Sequence, residues 1–409
     1  MNQRWLWIFF AALTGFLAGL AATVFLVLLK IATEWRESHS VILWFLPAAG
    51  FFIAWVYERW GGVSRRGAAL ILDEIHQPKN VLPLRMAPLV FGGTLLTHLF
   101  GGSAGREGTV VQMGACFGDN VSKWWKVSAD QRRALLMAGA GAGFGAAIGA
   151  PLAGFIFGME VIYIGHLRVK AVGECAVASL VAKITTDLLH APHTHFGEVF
   201  VPHFRWLHLV LILAAGVAFG VSARAFIWLT HQVERIFAKT FQYPPWRTTC
   251  AGLILAAIFR WGHLERFAGL GLSEIKMSLA QIMTWQEPAL KVALTALTIG
   301  AGFKGGEFIP LVFVGSTLGS SIAAASPDLM STLAGCGFAA VFAGAANTPI
   351  ACAMMAAEVF GVALFPYALL TCFLSQYFSG TSGIYKGQPI ENLIYKVEKF
   401  FLHRSGTRR

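Results

Sequence analysis

Charge is what this sequence has least of. Only 13% of its 409 residues are Asp, Glu, Lys or Arg, about half the share found in soluble domains. Hydrophobic residues reach 56% and mean hydropathy is +0.62. A water-facing surface could not be built from this composition without exposing large apolar areas, which argues against a soluble enzyme. Cysteine is scarce as well. The 6 cysteines stand singly in apolar stretches with no Cys-x-x-Cys, so they read as small buried residues, not as disulfides or a metal site. HExxH, P-loop, nucleophile-elbow and dinucleotide motifs are all missing. Intramembrane hydrolysis and ATP-driven pumping therefore lack support, and neither an enzyme nor a cofactor is expected.

What is present is apolar sequence in long runs. The stretches Trp5 to Leu29, Ala134 to Met159, Leu209 to Ala223, Leu329 to Ala357 and Val359 to Tyr385 contain no charged residue, and a helix needs about 20 apolar residues to cross the hydrocarbon. The chain reads as an all-α, polytopic membrane protein. The first run exceeds a signal-peptide core and has no small-residue cleavage site, so it reads as a retained helix. The net charge of +11 does not indicate nucleic acid. Arg65 and Arg66, then Lys123, Lys126, Arg132 and Arg133, and finally Lys396, Lys399, Arg404, Arg408 and Arg409 flank apolar segments, as positive-inside bias requires. A cytoplasmic C-terminus is expected from this bias; a bacterial inner membrane is the expected location.

An internal repeat organises the chain. Gly101, Gly105, Gly114 and Gly118 are matched 201 residues later by Gly302, Gly306, Gly315 and Gly319. Pro151 stands nine residues before Glu160, and Pro349 nine before Glu358. The expected division is residues 1–203 and 204–400 as two membrane halves, followed by a short basic tail, 401–409. Repeats of this kind occur in transporters whose broken helices point their ends at an ion.

The two Gly-rich blocks suit an anion. A short glycine loop feeding straight into a helix leaves the first N–H groups unpaired, at the positive end of the helix dipole. Gly105-Arg106-Glu107-Gly108 and Gly305-Gly306-Glu307-Phe308 are both such junctions. Glu107, an ionisable group at membrane depth, is a functional candidate by default; a carboxylate capping the first helical turn is the structural alternative. Arg106 reads as its structural partner. Glu160 and Glu358 read as helix-end carboxylates facing water or partner helices. His190, His193 and His195 with Glu198 could in principle bind zinc, but no catalytic constellation accompanies them and a wet loop accounts for them better. Gly15 and Gly19 form one small-xxx-small pair for helix packing.

These motifs together resemble the CLC family of chloride channels and anion/proton exchangers. Residues 101–108 are similar to its Gly-Arg-Glu-Gly signature, 305–310 to its Gly-Gly-x-Phe-x-Pro element, 150–154 to the segment following the first signature, and 383–385 to a late loop bearing a tyrosine. The resemblance implies a homodimer in the bilayer with one pathway per subunit, built from two inverted repeats of tilted and broken helices. It makes Glu107 the gating, proton-carrying glutamate. Phe308 and Ile309 would bind the anion through backbone N–H groups, Tyr385 through its hydroxyl, and Ala68 and Ala69 from the first motif. Gly105, Gly108, Gly305 and Gly306 are the loop glycines. The sequence departs from the ordinary pattern where Gly67-Ala68-Ala69-Leu70 replaces a serine-bearing motif, at Thr109, and at Val161, the place of the inner proton glutamate. The fluoride/proton exchanger branch departs at similar places and has an acid where Glu307 stands. That resemblance implies proton-coupled fluoride export with Glu307 as second proton carrier, an ion pair with Lys304 being the alternative role. Ile309 and Ala68 differ from that branch's usual residues. A chloride/proton exchanger or a passive chloride channel of the same fold is the alternative function.

Overall fold

The computed structural model describes residues 3–203 and 205–390. Lys396, Lys399, Arg404, Arg408, Arg409 and the 401–409 tail lie outside the described residues. The first part of the chain forms α1 (Gln3–Ser38), α2 (Leu46–Val56), α3 (Ala68–His76), α4 (Met86–Leu99), α5 (Glu107–Trp124), α6 (Ala129–Ile148), α7 (Pro151–Glu160) and α8 (Val172–Leu188). The second forms α9 (Trp206–Thr240), α10 (Pro244–Trp261), α11 (Leu272–Ser278), α12 (Gln286–Gly300), α13 (Phe308–Ile322), α14 (Met330–Ala346), α15 (Pro349–Phe360) and α16 (Phe365–Ser379). Strand pairing among the described residues is limited to three isolated bridges.

Six helical stretches among the described residues are long and apolar enough to cross a bilayer. Others stop short. At 1.5 Å per residue the 14 residues of α4 and the 10 of α7 span roughly 21 and 15 Å, less than the hydrocarbon thickness of about 30 Å. Their ends therefore lie at membrane depth and need polar partners. Proline opens α7 and α15 at the first helical position, where its missing N–H is no loss.

Helices in lipid associate by close packing, since hydrocarbon offers no hydrophobic drive between them. The repeat glycines provide that packing. A Cβ on Gly114 would lie 2.1 Å from the Gly139 carbonyl oxygen, and one on Gly315 would lie 1.9 Å from that of Gly337. So α5 crosses α6 backbone to backbone, and α13 crosses α14 in the same way. The first pair of repeat positions, Gly101 and Gly302, turns the chain out of α4 and α12 with φ of +89° and +110°. Gly15 and Gly19 seat α1 on α8 at Ala178 and Ala182.

The glutamates that end the repeat segments have specific partners. Glu160, at the C-terminus of α7, accepts the Ile350 and Ala351 N–H groups at the start of α15, at 3.0 and 2.7 Å. Glu358, near the end of α15, accepts those of Leu152 and Ala153 at the start of α7, at 2.9 and 2.8 Å. Two short antiparallel helices thus exchange caps, each carboxylate meeting the positive end of the other's dipole.

Candidate functional site

The repeat brings the two glycine junctions into direct contact. Gly105 N–H donates to the Gly306 carbonyl at 2.6 Å, and Gly306 N–H donates back to Gly105 at 2.8 Å. The starts of α5 and α13 are thereby fixed against each other. The first loop also stands on the second half: Ser103 N–H donates to Thr298 Oγ1 at 3.2 Å, and the Ser103 and Thr295 hydroxyls lie 2.9 Å apart. From behind, the buried His98 ring sets its nitrogens 2.8 and 3.0 Å from the Thr94 and Ala104 carbonyl oxygens.

Glu107 is 1% exposed. Its carboxylate folds back to accept the Arg106 backbone N–H at 3.1 Å and the Arg106 Nε–H at 3.3 Å, and its own backbone N–H, the first of α5, also bonds to it, so the capping role considered from sequence is realised in part. Arg106 itself reaches further, donating from Nη2 to Thr194 Oγ1 at 3.4 Å. On the other side, Gly108 lines a cavity of about 340 Å³ together with Gly67, Ala68, Ala69, Gly305, Gly306, Glu307 and Tyr385. Thr194 lines a second cavity of about 680 Å³. Glu107 itself lines neither cavity but is flanked by both, through its neighbour Gly108 on the first and through Arg106 and Thr194 on the second.

The first cavity is basic. Arg65, Arg66, Arg247, Lys304 and Lys386 line it against only two acids, Glu234 and Glu307. Lys386 pairs with Glu234 at 2.7 Å. Lys304 does not pair with Glu307; its Nζ sits 4.3 Å from the centre of the Tyr57 ring, a cation–π contact. Glu307 has no ion-pair partner among the described residues, which removes the ion-pair role considered from sequence. Helix α3 opens at this cavity with Gly67 as N-cap and no side-chain cap, so the Ala68 and Ala69 N–H groups are backbone donors at its wall. The loop bearing Tyr385 is pinned by Ile384 N–H to Ala345 O at 2.9 Å and by Gln388 Nε2 to Val161 O at 2.7 Å. The Phe308 and Ile309 side chains are buried; Phe308 meets Phe342 and Phe144 edge-on at 4.7 and 5.4 Å.

A family profile described as voltage gated chloride channel matches residues 49–380. The chain belongs to this CLC family. It is an integral membrane transport protein with several spans, not an enzyme. A "Chloride/fluoride channel protein" of Pseudomonas syringae pv. tomato is 41% identical over 392 residues, covering 94% of this chain and 86% of that protein. Among solved structures, one described as a CLC-type fluoride/proton antiporter matches with a TM-score of 0.90 and 31% identity, over 95% of this chain and 100% of that one. A slow cyanobacterial Cl-/H+ antiporter matches with a TM-score of 0.81 and 20% identity, over 100% and 99%, which speaks to the shared CLC fold.

Ala68, Ala69, Gly108, Gly305, Gly306, Glu307 and Tyr385 converge on one cavity of this CLC protein, whereas Gly105, Glu107, Phe308 and Ile309 lie near its lining residues in the chain but not on its wall. The sequence reading missed the supports: His98, Ser103, Thr295 and Thr298. A signal existed in Thr295-x-x-Thr298, two hydroxyls on one face of the apolar second half of α12. It also missed an aromatic stack in which Phe144 lies 4.1 Å from Phe157, which faces Tyr385 at 6.3 Å. Among 33 phenylalanines nothing in the sequence distinguishes these. Among the described residues no group of three His, Cys, Asp or Glu side chains could hold a metal.

Proposed function

We propose that this CLC protein is a proton-coupled exchanger that exports fluoride while protons move inward. The observation that carries the reading is the placement of Glu107, buried at the start of α5 between two cavities. An anion passing that point meets backbone donors at three helix starts, those of Ala68 and Ala69, of Gly108, and of Phe308 and Ile309, with the Tyr385 hydroxyl beside them. In a poorly screened interior such donors replace part of the anion's water shell without a fixed cation. The ionised Glu107 carboxylate competes with the anion for this place, and its protonated form yields, which couples the two movements. Glu307, on the wall of the first cavity, is the second carrier in this scheme. Support for fluoride comes from the Pseudomonas relative and from the likeness to the fluoride/proton antiporter.

In the same reading residues 1–203 and 204–400 are inverted halves and 401–409 a basic tail. The assembly is a homodimer in a bacterial inner membrane with a cytoplasmic C-terminus. Lys386 lines the first cavity, so that one faces the cytoplasm. The second faces outward in this reading: the loop that lines it leads into α9, about 52 Å long, whose Glu234 lines the first.

The test is flux in proteoliposomes. Fluoride efflux should drive proton uptake against a proton gradient, chloride should move more slowly, and Glu107→Gln should abolish the proton uptake. Anion flux independent of protons in the unmutated protein, at rates above a transporter cycle, would instead make it a channel. Equal or faster chloride exchange would make it a chloride/proton exchanger.

A further inference from the structure

The segment 189–203 that leads from α8 toward α9 has no regular structure, yet it is fastened, by Val199 N–H to Phe360 O and Thr332 Oγ1 to Phe200 O at 3.1 and 2.8 Å and at two points nearer the site. His193 Nε2–H donates to the Ala146 carbonyl at 2.8 Å, in the last turn of α6, and a Cβ on the following Gly149 would lie 3.3 Å from the His193 ring. One residue on, Thr194 Oγ1 receives the Arg106 guanidinium. Arg106 is 7% exposed and spends its Nε–H and backbone N–H on Glu107. A continuous chain of contacts therefore runs from the end of α6, through His193 and Thr194, to Arg106 and the Glu107 carboxylate. The segment also forms the wall of the 680 Å³ cavity, carrying His190, His195 and Glu198 beside Lys183 and Asp187 of α8 and Glu358 of α15.

We propose that this segment is an outer strap over Glu107, in which Thr194 is a positioning residue that holds Arg106 on the carboxylate and His193 is the pin that keeps the strap closed. The proposal rests on the exchange reading above. While the strap is closed, Arg106 stabilises the ionised carboxylate in its folded-back position. When it opens, Arg106 loses its outer tether, and Glu107 becomes accessible to protons from the second cavity. The charged groups around the pin are Arg106 of the first anion loop and Lys183 and Asp187 of α8; around Glu107 there is Arg106, with the neutral Tyr385 hydroxyl of the C-terminal loop as a titratable neighbour.

Acid should favour opening. Burial first, and Arg106 next among the charges that oppose it, hold the His193 imidazole below its ordinary range, against the opposing pull of its bond to Ala146. The closed strap therefore prefers the neutral ring. Its stability is fully present above the unfolded value of about 6.5 and declines as pH falls below it toward the depressed folded value.

Fluoride efflux and proton uptake by full-length protein in proteoliposomes, followed while the outer pH is varied from about 5 to 8, test this. Thr194→Val keeps the volume and removes the hydroxyl. It should move the half-maximal outer pH upward by about half a unit to one unit, the equivalent of one lost hydrogen bond, and Thr194→Ser should restore it. His193→Ala should shift the profile in the same direction, whereas His193→Gln, which keeps an N–H donor but cannot titrate, should keep the strap closed and remove its loosening in acid. A fall in rate at every pH with an unmoved midpoint would reduce Thr194 to a structural residue and overturn the proposal. Hydrogen exchange on the unmodified protein gives a reading that no folding failure can obscure. Amides of 189–203, corrected for intrinsic rates, should exchange faster at pH 5.5 than at 7.5, and equal protection would also overturn it. If Glu107→Gln leaves coupling intact, the exchange reading fails; if it uncouples while the strap variants leave the midpoint in place, only the strap fails.

Discussion

Removing the Glu160 carboxylate should destabilise the protein more than removing its counterpart, Glu358. It is 4% exposed and accepts two N–H groups, at 3.0 and 2.7 Å. Each buried donor left without a partner costs about 1–3 kcal/mol, so Glu160→Ala should lose about 4 kcal/mol. Glu160→Gln keeps one acceptor oxygen but turns an NH2 group toward a donor and loses the charge on the α15 dipole, for a loss of about 2–3 kcal/mol. Unfolding entropy of about 2.1 cal/mol/K per residue over 409 residues is roughly 0.9 kcal/mol/K, so the alanine variant should melt about 4–5 °C lower. Helices that persist in detergent reduce that entropy and enlarge the shift. Glu358 makes the matching contacts but is only half-buried, so water can replace it, and Glu358→Ala should cost about 1–2 °C. The assay is loss of the monodisperse chromatographic peak after heating in detergent. A Glu160→Ala midpoint within about 1 °C of the unmutated protein, or no lower than that of Glu358→Ala, would refute the cap exchange as a source of stability.

Gly315→Ala should separate α13 from α14, because the new Cβ would lie 1.9 Å from Gly337 O, and overpacking of this kind costs about 1–3 kcal/mol. The melting midpoint and the flux should both fall, since α13 begins at the site. Gly92→Ala, with nothing within 4 Å of its Cβ, is the control and should be neutral or slightly stabilising; equal effects would contradict the packing argument. Lys304→Met should weaken apparent anion affinity from the first-cavity side about fivefold at low ionic strength, for an interaction of about 1 kcal/mol. The difference should shrink as salt rises, and a salt-independent loss would point to packing on Tyr57 instead of charge.

The parts of this protein that were legible in its sequence are those with a period or an exclusion behind them. Uncharged runs located four of the six long apolar stretches, those of α1, α9, α14 and α16, because charge at depth is costly, but missed 40–76 and 308–325 and ran across the break between α6 and α7; the 201-residue glycine register paired Gly105 with Gly306. Those glycines do more than one thing, however. Gly105 and Gly306 tie the anion loops together, Gly101 and Gly302 turn the chain, and Gly114 and Gly315 are helix crossings, a distinction that spacing alone does not carry. The partners of Glu160 and Glu358 were invisible for a different reason. Each lies about 190–206 residues away and is a backbone N–H, a group every residue but proline possesses. The His190–His195 cluster drew attention as a metal candidate, whereas the contacts that matter are those of His193 with a helix end and of Thr194 with Arg106; threonine beside histidine gives no signal of that kind.

Breaking a helix inside a membrane leaves N–H and C=O groups that lipid cannot satisfy, and in this chain the satisfaction is repeatedly supplied from the other half. Thr295 and Thr298 hold Ser103 in the first anion loop, Gly306 bonds Gly105, Glu358 caps α7, and Glu160 caps α15. Neither half's short helices would have these partners alone. The inverted pairing thus does two jobs with one set of contacts: it neutralises the broken ends that are structural, at α7 and α15, and it leaves without a side-chain cap the starts of α3 and α13, where, in the exchange mechanism proposed above, an anion takes the place of the missing cap.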